Sequence, residues 1–443
     1  MGLLQESNAI FYHPLNDAVE HLNAKTWTGT TGFAAGKVSD GLAGVEATSP
    51  SFSSESEFLA AATSNPTVTA LTSTKVVVTY SNQPSATRGE ARVGIVNGAD
   101  ITWGPMKSFA TNSGDTYEAK LDSSRFVLLY VDSADSSTVK VRIGTVSGTD
   151  ITFGATTNTG ATTGYLRIAS FSSTHFIVIW KSASGGRGAS KVGLVSGTDI
   201  TLGAQSDYEP DSALGEGAEG SAIACLSSTA AVVCYEDRVA SPGAGIGTAR
   251  IGIRSGTDIT WGAKHTYESG TAHQGYHLQV TAIDAATFVV AWNQPNGGNM
   301  RAGAVSGTGI TLGGKANFDS SSSNQIDIIA LSAAKVVVAW ADTGDSYKGK
   351  SKLGTISGLD ITLGAESQFQ SGGANGAEEI GLTALGSSEF VVVYRDDGDG
   401  DHGTAKVGNV SSGSDLSGLT ADYSSAAAAT KVAFCGWLNR PSG

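Results

Sequence analysis

The residues best suited to chemistry lie together in one short polar segment, DDGDGDHG, near the end of the chain. Asp397, Asp399 and Asp401 alternate there, as the first ligands of a calcium-binding loop do. The EF-hand pattern also needs Gly at its sixth position and Glu at its twelfth, where this chain has His402 and Gly408. The segment is therefore either a solvated turn or a calcium site completed by backbone carbonyls. Calcium is the one cofactor that the sequence suggests.

The rest of the chain shows no arrangement typical of a catalytic site. The seven histidines lack the spacing of zinc ligands, and HQGYH at 273–277 lacks the glutamate of the H-E-x-x-H motif. Neither a G-x-S-x-G nucleophile elbow nor a glycine-rich phosphate loop occurs. The sequence therefore predicts a protein that is not an enzyme.

Composition narrows the possible partners. The 443 residues carry a net charge of −13, and only 16% of them are charged. No basic stripe suited to phosphates is visible, so nucleic acid is not a predicted partner. No apolar run is long enough to span a bilayer, and no membrane insertion is predicted. The 58 glycines, with abundant Val, Ile, Ser and Thr, are typical of β-strands joined by many turns.

A repeat of about 50 residues organises this composition. One marker is a turn of the form S-G-T-D-I-T, whose glycines are Gly98, Gly148, Gly197, Gly256, Gly307, Gly358 and Gly413. A second marker is an apolar run ending in an aromatic residue, at Tyr80, Tyr130, Trp180, Tyr235, Trp292, Trp340 and Tyr394. Seven copies of each marker, in step, indicate seven repeats of a solenoid, propeller or array.

Each repeat divides into four strand-like pieces. In the sixth, IDIIAL, VVVAW, SKLGTI and ITLGAESQF are separated by short turns or a polar loop. The second piece is apolar at nearly every position, as expected of a strand buried on both faces. The S-G-T-D-I-T segment is then the tight turn between the third and fourth strands. These features predict an all-β fold, a seven-bladed β-propeller of four-stranded antiparallel blades.

A propeller must join its last blade to its first. Residues 52–59, FSSESEFL, precede the first repeat and align with the fourth-strand segment of the sixth. We therefore predict that 52–59 is the outer strand of the seventh blade, which removes an open sheet edge. The alternative is LSGLTADY at 416–423. The predicted organisation is an N-terminal flank at 1–50, a propeller at 51–415 and a C-terminal flank at 416–443.

Two resemblances suggest a biological setting. FYHPLNDAVEHLNAKTW in the first flank and ATKVAFCGWLNRPSG in the second resemble parts of LamG-like, concanavalin-type domains. They imply a small β flank formed by the two termini, with truncation at the C-terminus as the alternative. The repeat itself resembles those of tail-fibre and other virion proteins of tailed bacteriophages. This second resemblance implies a virion structural protein, tail-fibre-like or surface-decorating, with other virion proteins and host glycans as partners.

The loops indicate where binding would occur. The first-to-second and third-to-fourth turns are nearly constant, whereas the second-to-third and fourth-to-first loops vary and open on the same face. Varied loops on a rigid scaffold are typical binding positions. The candidate ligand-binding residues on this face are Arg187, Arg238, Tyr347 and His402.

The sequence thus predicts a non-enzymatic virion protein that adheres through this face and is compatible with homo-oligomers in a particle. The alternatives are a secreted or surface-attached carbohydrate-binding lectin, at an extracellular or cell-surface location, and a propeller glycosidase.

Overall fold

The computed structural model describes residues 49–83, 87–161, 164–182, 186–209, 217–238, 245–269, 278–294, 297–372 and 376–410. This part of the chain is almost entirely antiparallel β-strand, with three 3₁₀ turns at Ser133–Asp135, Thr343–Asp345 and Asp397–Asp399. No helix in these ranges is long and apolar enough to cross a membrane. Both predicted terminal flanks, apart from residues 49 and 50, lie outside the described residues.

The strands follow the repeats in chain order. The N-terminal segment and repeat 1 contain β1 (Ser51–Phe52), β2 (Ser56–Thr72), β3 (Lys75–Asn82), β4 (Arg88–Asn97), β5 (Asp100–Trp103) and β6 (Lys107–Ala110). Repeat 2 contains β7 (Ser113–Lys120), β8 (Arg125–Asp132), β9 (Thr138–Ser147), β10 (Asp150–Phe153) and β11 (Thr157–Asn158). Repeat 3 contains β12 (Gly164–Ser172), β13 (His175–Lys181), β14 (Gly188–Ser196), β15 (Asp199–Leu202) and β16 (Ser206–Glu209).

The remaining repeats are built alike. Repeat 4 contains β17 (Ala218–Cys225), β18 (Ala230–Asp237), β19 (Ile246–Ser255), β20 (Asp258–Trp261) and β21 (His265–Glu268). Repeat 5 contains β22 (Leu278–Asp284), β23 (Thr287–Gln294), β24 (Gly297–Ser306) and β25 (Gly309–Asn317). Repeat 6 contains β26 (Ser323–Ser332), β27 (Lys335–Asp342), β28 (Lys348–Ser357) and β29 (Asp360–Gln370). Repeat 7 contains β30 (Ala377–Ala384), β31 (Glu389–Asp396) and β32 (His402–Asn409).

Within the described ranges these strands form six hydrogen-bonded sheets. Five sheets each contain one repeat, paired in the order first, second, third, fourth strand. In repeats 1 to 4 the fourth strand is split into two pieces that both pair with the third. The sixth sheet has nine strands because the long β2 pairs with β32 along its first part and with β3 along its second. The prediction of an all-β fold of repeated, four-stranded antiparallel sheets is confirmed for repeats 1 to 6.

The apolar second strands lie at the centre of each sheet and are buried. In β27, Val336, Val337 and Val338 are all inaccessible to solvent. Each hydrophobic cluster joins neighbouring repeats: Val127 and Leu129 of β8 belong to the same cluster as Phe176 and Val178 of β13. Since alternate side chains of a strand point to opposite faces, a strand covered on both faces must be apolar throughout.

A basic side chain on each third strand bonds to the preceding repeat. It comes just before an apolar residue that is followed by Gly. It donates to a backbone carbonyl in the outer strand of the preceding repeat or directly after that strand. The seven donor–acceptor pairs are Arg92–Phe58, Arg142–Phe109, Lys191–Thr159, Arg250–Tyr208, Arg301–Tyr267, Lys352–Phe318 and Lys406–Phe369. Each bond is charge-assisted and satisfies a carbonyl near the sheet edge. The acceptor for repeat 1 is Phe58, which precedes that repeat and pairs with repeat 7.

Aromatic residues reinforce the same contacts. The outer-strand ring of one repeat packs on the ring that ends the second strand of the next, with centroids 5.1–5.4 Å apart. Phe58 and Tyr80 form one such pair at 5.2 Å, and Phe109 and Tyr130 form another at 5.2 Å. The N-terminal strand therefore supplies the same side-chain contact as the outer strands of repeats 1 and 3 to 6.

The N-terminal segment pairs with the last repeat. Ser51 and Phe52 lie opposite Asn409 and Gly408, and Ser56 lies opposite Ala405. This is the strand position that the alignment assigned to residues 52–59. The domain boundaries at 50 and 415 and the LamG-like flanks depend on residues outside the described ranges, so those assignments remain predictions.

The repeated S-G-T-D-I-T turn has two physical requirements. Its glycine adopts a left-handed backbone, for example φ = +64° at Gly197, which other residues adopt only at a cost. A second glycine, two residues after the motif, packs against the next repeat's turn: a Cβ on Gly154 would lie 2.8 Å from Cβ of Thr198. Successive turns therefore contact one another, which explains why the motif recurs with so little change.

Candidate functional site

The first strands of the repeats surround an axial cavity. Strands β2, β7, β12, β17, β22, β26 and β30 are neighbours in this cyclic order. First strands of six repeats line a cavity of about 230 Å³. The lining residues lie near the start of each strand, on the side of the variable fourth-to-first loops. Because this volume is below that of sites for drug-sized ligands, the cavity suits one small polar group or sugar ring.

A backbone irregularity directs side chains into this cavity. The pairing of first and second strands shifts register at the same place in six repeats, as between Ser64 and Thr67 in repeat 1. In four repeats the first residue inside the shift has a left-handed backbone, with φ between 48° and 52°. These residues are Asn65, Tyr165, Gln325 and Glu379. Such backbones are strained in residues other than glycine, and strain of this kind concentrates at functional sites.

Glu118 on β7 is the most unusual residue of the lining. By the strand pairing, the other repeats have Val68, Ile168, Ile223, Val280, Ile328 and Leu382 at this position. Oε2 of Glu118 accepts hydrogen bonds from the hydroxyls of Thr67 and Thr79 of repeat 1. Its Oε1 is inaccessible to solvent and has no hydrogen-bond partner. An unpaired buried carboxylate oxygen is costly, and it is an acceptor available to a ligand.

Arg167 provides the cationic group of the lining. Its Nη1 donates to the Tyr117 hydroxyl at 3.0 Å, and its guanidinium lies 4.9 Å from the centroid of that ring. Its Nε, like Oε1 of Glu118, is buried without a hydrogen-bond partner. The cavity therefore offers both a donor and an acceptor, beside an aromatic ring.

Two further carboxylates line the cavity and also hold repeats together. Asp327 accepts from the backbone N–H groups of Leu382, at 2.7 Å, and of Ile328, at 2.8 Å. Glu379 accepts from the backbone N–H of Asn65 at 2.6 Å. The bond from Leu382 crosses from repeat 7 to repeat 6, and the bond from Asn65 crosses from repeat 1 to repeat 7, so part of this polar lining is structural.

Burial raises the pKa of all three acids. Desolvation is the largest cause in each case and lifts the pKa of Glu118 and Glu379 to about 7 and that of Asp327 to about 6. The Thr67 and Thr79 hydroxyls partly oppose the effect at Glu118, because they stabilise its ionised form. Desolvation also raises the pKa of Asp115, on the same inner strand as Glu118, and Arg167 lowers it. The site therefore changes charge near neutral pH.

The candidate binding residues from the sequence lie in four different repeats, three of them in loops and His402 at the start of β32. Arg187 lies 3.7 Å from Asp207, and Arg238 pairs with the buried Glu236 at 3.2 Å. Tyr347 has a left-handed backbone, with φ = 56°. No contact links any two of Arg187, Arg238, Tyr347 and His402 among the described interactions, and none of them lines the axial cavity. Their role in binding stays a prediction.

The three aspartates of the candidate calcium loop do not converge. Asp397 and Asp401 both face the Arg395 guanidinium, at 3.1 and 3.6 Å, and their hydrogen bond to each other raises the pKa of Asp401. Asp399 instead faces Nδ1 of His402 at 3.4 Å. Within the described residues, the structure groups Asp399 with His402 and Glu57. Calcium binding by the three aspartates stays a prediction.

Sequence analysis missed the axial cavity because it searched the loops. A signal was present: Glu118 interrupts a position that is Val, Ile or Leu in the other six repeats, and Thr79 similarly replaces an apolar second-strand residue. Two polar residues at buried positions of adjacent repeats, facing each other, indicate a site rather than a loss of pattern. Finding them requires an alignment of the repeats strand by strand.

Comparisons with known proteins give fold-level similarity only. No protein-family model matches the chain, and no curated protein matches it significantly. A variant of the Aleuria aurantia lectin, solved with Fucalpha1-6GlcNAc, is 11% identical, with a TM-score of 0.42 over 70% of this chain and 96% of that one. The β-propeller domain of the Trilobed protease from Pyrococcus furiosus is 9% identical, with a TM-score of 0.44 over 76% and 92%.

A Hadza microbial sialidase, Hz136, is also similar. It is 12% identical, with a TM-score of 0.40, and the match covers 78% of this chain. This chain spans only 65% of the length of the sialidase. The fold assignment given above rests on the strand pairing.

Proposed function

We propose that the protein is a non-enzymatic, carbohydrate-binding β-propeller of seven blades, with the axial cavity as its binding site. The seven-blade count is supported by the cyclic order of seven first strands and by the seven bonds from basic side chains to preceding repeats. On this count the nine-stranded sheet is two blades that share β2. The outer strand of the seventh blade is then residues 51–62.

The observation that carries the binding proposal is the pair of unpartnered buried groups in the cavity lining. Oε1 of Glu118 needs a hydroxyl or ammonium donor, and Nε of Arg167 needs an oxygen acceptor. A sugar offers both kinds of group on one ring, and the Tyr117 side chain beside them adds an aromatic surface. Three acids against one arginine favour a neutral or amino sugar over an acidic one.

The structural roles of two of the three cavity acids argue against catalysis. Asp327 and Glu379 accept backbone hydrogen bonds across repeat boundaries, which fixes them in place. Glycoside hydrolysis uses a pair of carboxyl groups, and each must be free to act on the substrate. Glu118 has an unpaired oxygen, but Asp327 and Glu379 do not offer it a second free carboxyl. We therefore expect binding without hydrolysis, which separates this proposal from a propeller glycosidase.

The decisive experiment restores the apolar pattern of the other repeats. The double variant Glu118→Ile with Thr79→Val removes the unpaired carboxylate and one of its two hydroxyl donors. Since only the Thr67 hydroxyl then loses its partners, the fold is expected to be about as stable as the parent. Isothermal titration with neutral, amino and acidic monosaccharides should show loss of binding to neutral and amino sugars in the variant. Chromogenic glycosides should remain uncleaved by both proteins.

Three outcomes would refute parts of this proposal. Equal sugar affinity in parent and double variant would place binding elsewhere, with the variable loops as the next candidates. A preference for acidic sugars would contradict the charge argument. Hydrolysis that the double variant abolishes would identify an enzyme instead.

Display on a bacteriophage virion remains our interpretation of the repeat resemblance alone. Under the binding proposal, a surface-attached or secreted lectin explains the cavity equally well. Multivalent display would raise a weak single-site affinity in either setting. Detection of the chain in purified phage particles would decide between them.

A further inference from the structure

One turn occurs three times among the described residues, and the third copy differs from the other two. Asp132, Asp342 and Asp396 each end a second strand and cap a 3₁₀ turn by accepting a hydrogen bond from the N–H two residues later. A second aspartate follows three residues after each cap, at Asp135, Asp345 and Asp399. In all three copies a left-handed residue ends the turn.

In two copies a lysine neutralises the pair of acids. Nζ of Lys140 lies 2.9 Å from Asp132 and 2.7 Å from Asp135. Nζ of Lys350 lies 2.8 Å from Asp342 and 3.1 Å from Asp345. Both lysines occur eight residues after the capping aspartate. The ammonium is thus part of the turn in repeats 2 and 6.

In the third copy that position is Thr404, so the ammonium is missing. The capping Asp396 accepts from the Gln370 amide at 2.9 Å and from its own turn. Asp399 instead faces His402, and a second acid comes from outside the repeat. That acid is Glu57 on β2, whose Oε1 lies 3.4 Å from Nδ1 of His402.

The spacing of these three groups fits a metal ion. Nδ1 of His402 is 3.4 Å from Oε1 of Glu57 and 3.4 Å from Oδ2 of Asp399, and all three ligand atoms lie within 4.8 Å of one another. A tetrahedral ion with bonds of about 2.1 Å separates its ligand atoms by about 3.4 Å. One imidazole and two carboxylates are typical ligands of Zn²⁺, whereas Ca²⁺ prefers oxygen ligands alone.

We propose that Glu57, Asp399 and His402 bind a divalent transition metal of the Zn²⁺ type, with water as the fourth ligand. The ion takes the place of the lysine found in the other two turns. Because Glu57 lies on β2 and the other two ligands lie in repeat 7, the ion ties the N-terminal strand to the last repeat. It binds the folded chain only and therefore stabilises it.

The test is a melting measurement on the full chain after EDTA treatment and dialysis, with ZnCl₂ or CaCl₂ added. Zn²⁺ should raise the melting temperature by several degrees and Ca²⁺ should not, and titration calorimetry should give one Zn²⁺ site. His402→Ala should abolish the shift. Asp345→Asn, in the matched turn that has its lysine, should leave the Zn²⁺ shift unchanged.

A second variant tests the replacement directly. Thr404→Lys places the missing ammonium beside Asp399, so it should raise the melting temperature of the metal-free protein and remove the response to Zn²⁺. A Zn²⁺ shift that persists in both His402→Ala and Thr404→Lys would mean that the ion binds elsewhere. Absence of any Zn²⁺ shift in the parent protein, or a larger shift with Ca²⁺, would overturn the proposal.

Discussion

The motif turns and the first strands of the repeats use repetition in opposite ways. At the third-to-fourth turns both the backbone and the side chains recur, because each turn packs on the next one. At the first strands the backbone irregularity recurs, but the cavity-lining residues that it carries differ: Asn65, Gln325 and Glu379. Recurring side chains build the ring, whereas differing side chains on a recurring backbone build the candidate site.

If recurring side chains build the ring, the boundary between repeats 7 and 1 should resemble the other boundaries between repeats. The N-terminal strand should then contribute as much to the unfolding free energy as the outer strand at any other boundary. Phe58→Ala removes a fully buried ring that packs on Tyr80 and should cost about 3–5 kcal/mol of unfolding free energy. Phe109→Ala removes the matching ring between repeats 1 and 2 and serves as the control. Urea denaturation measures both.

The comparison of the two variants carries the information. Similar losses would mean that the closing boundary is an ordinary one. A much smaller loss for Phe58→Ala would mean that β2 contributes little to closure and that another segment seals repeat 7.

Much of the fold could be predicted from the sequence because its causes are local. A double-sided apolar strand, a left-handed glycine and a short polar turn each leave a pattern within about ten residues, as VVVAW and SGTDIT do. The pairing of residues 51–62 with β32 was accessible because the outer strands share a sequence pattern that includes Phe58.

The candidate sites were less accessible because their groups come from distant parts of the chain. Glu118 meets Thr67 and Thr79 from another repeat, and Glu57 meets His402 across 345 residues. The loop aspartates were chosen for their spacing, and the structure adds that Asp397 and Asp401 both lie beside the Arg395 guanidinium. Spacing along a chain does not reveal which charged neighbour arrives from the adjacent strand.

The buried acids of the axial cavity should also make the free energy of unfolding depend on pH. The pKa of Glu118 is raised from 4.5 in the unfolded chain to about 7, so between these values the folded protein holds a proton that the unfolded chain has released. The free energy of unfolding therefore falls as the pH rises through this window, by about 1.4 kcal/mol per pH unit for this group, and levels off above it.

Glu118→Gln should flatten this dependence, since the amide does not titrate. Urea denaturation at pH 5, 6, 7 and 8 should show a smaller slope than in the parent, with the remaining slope due to the other acids whose pKa is raised, Glu379 and Asp327 among them. Asp150→Asn changes an exposed acid that pairs with Lys107 and should leave the slope unaltered. Parallel curves for parent and Glu118→Gln would show that the carboxyl is solvated in the folded protein.

The motif turns should respond to the addition of a single methyl group. Gly154→Ala places Cβ at 2.8 Å from Cβ of Thr198 and 3.0 Å from its carbonyl oxygen, so the two turns must move apart. Overpacking of this size costs about 1–3 kcal/mol. Gly386→Ala is the matched control, because its Cβ meets nothing within 4 Å and its backbone is not left-handed. Melting curves should separate the two variants by several degrees, with Gly386→Ala close to the parent. If Gly154→Ala melts with the parent as well, the contact between successive turns is loose, and the recurrence of the motif reflects only the needs of each isolated turn.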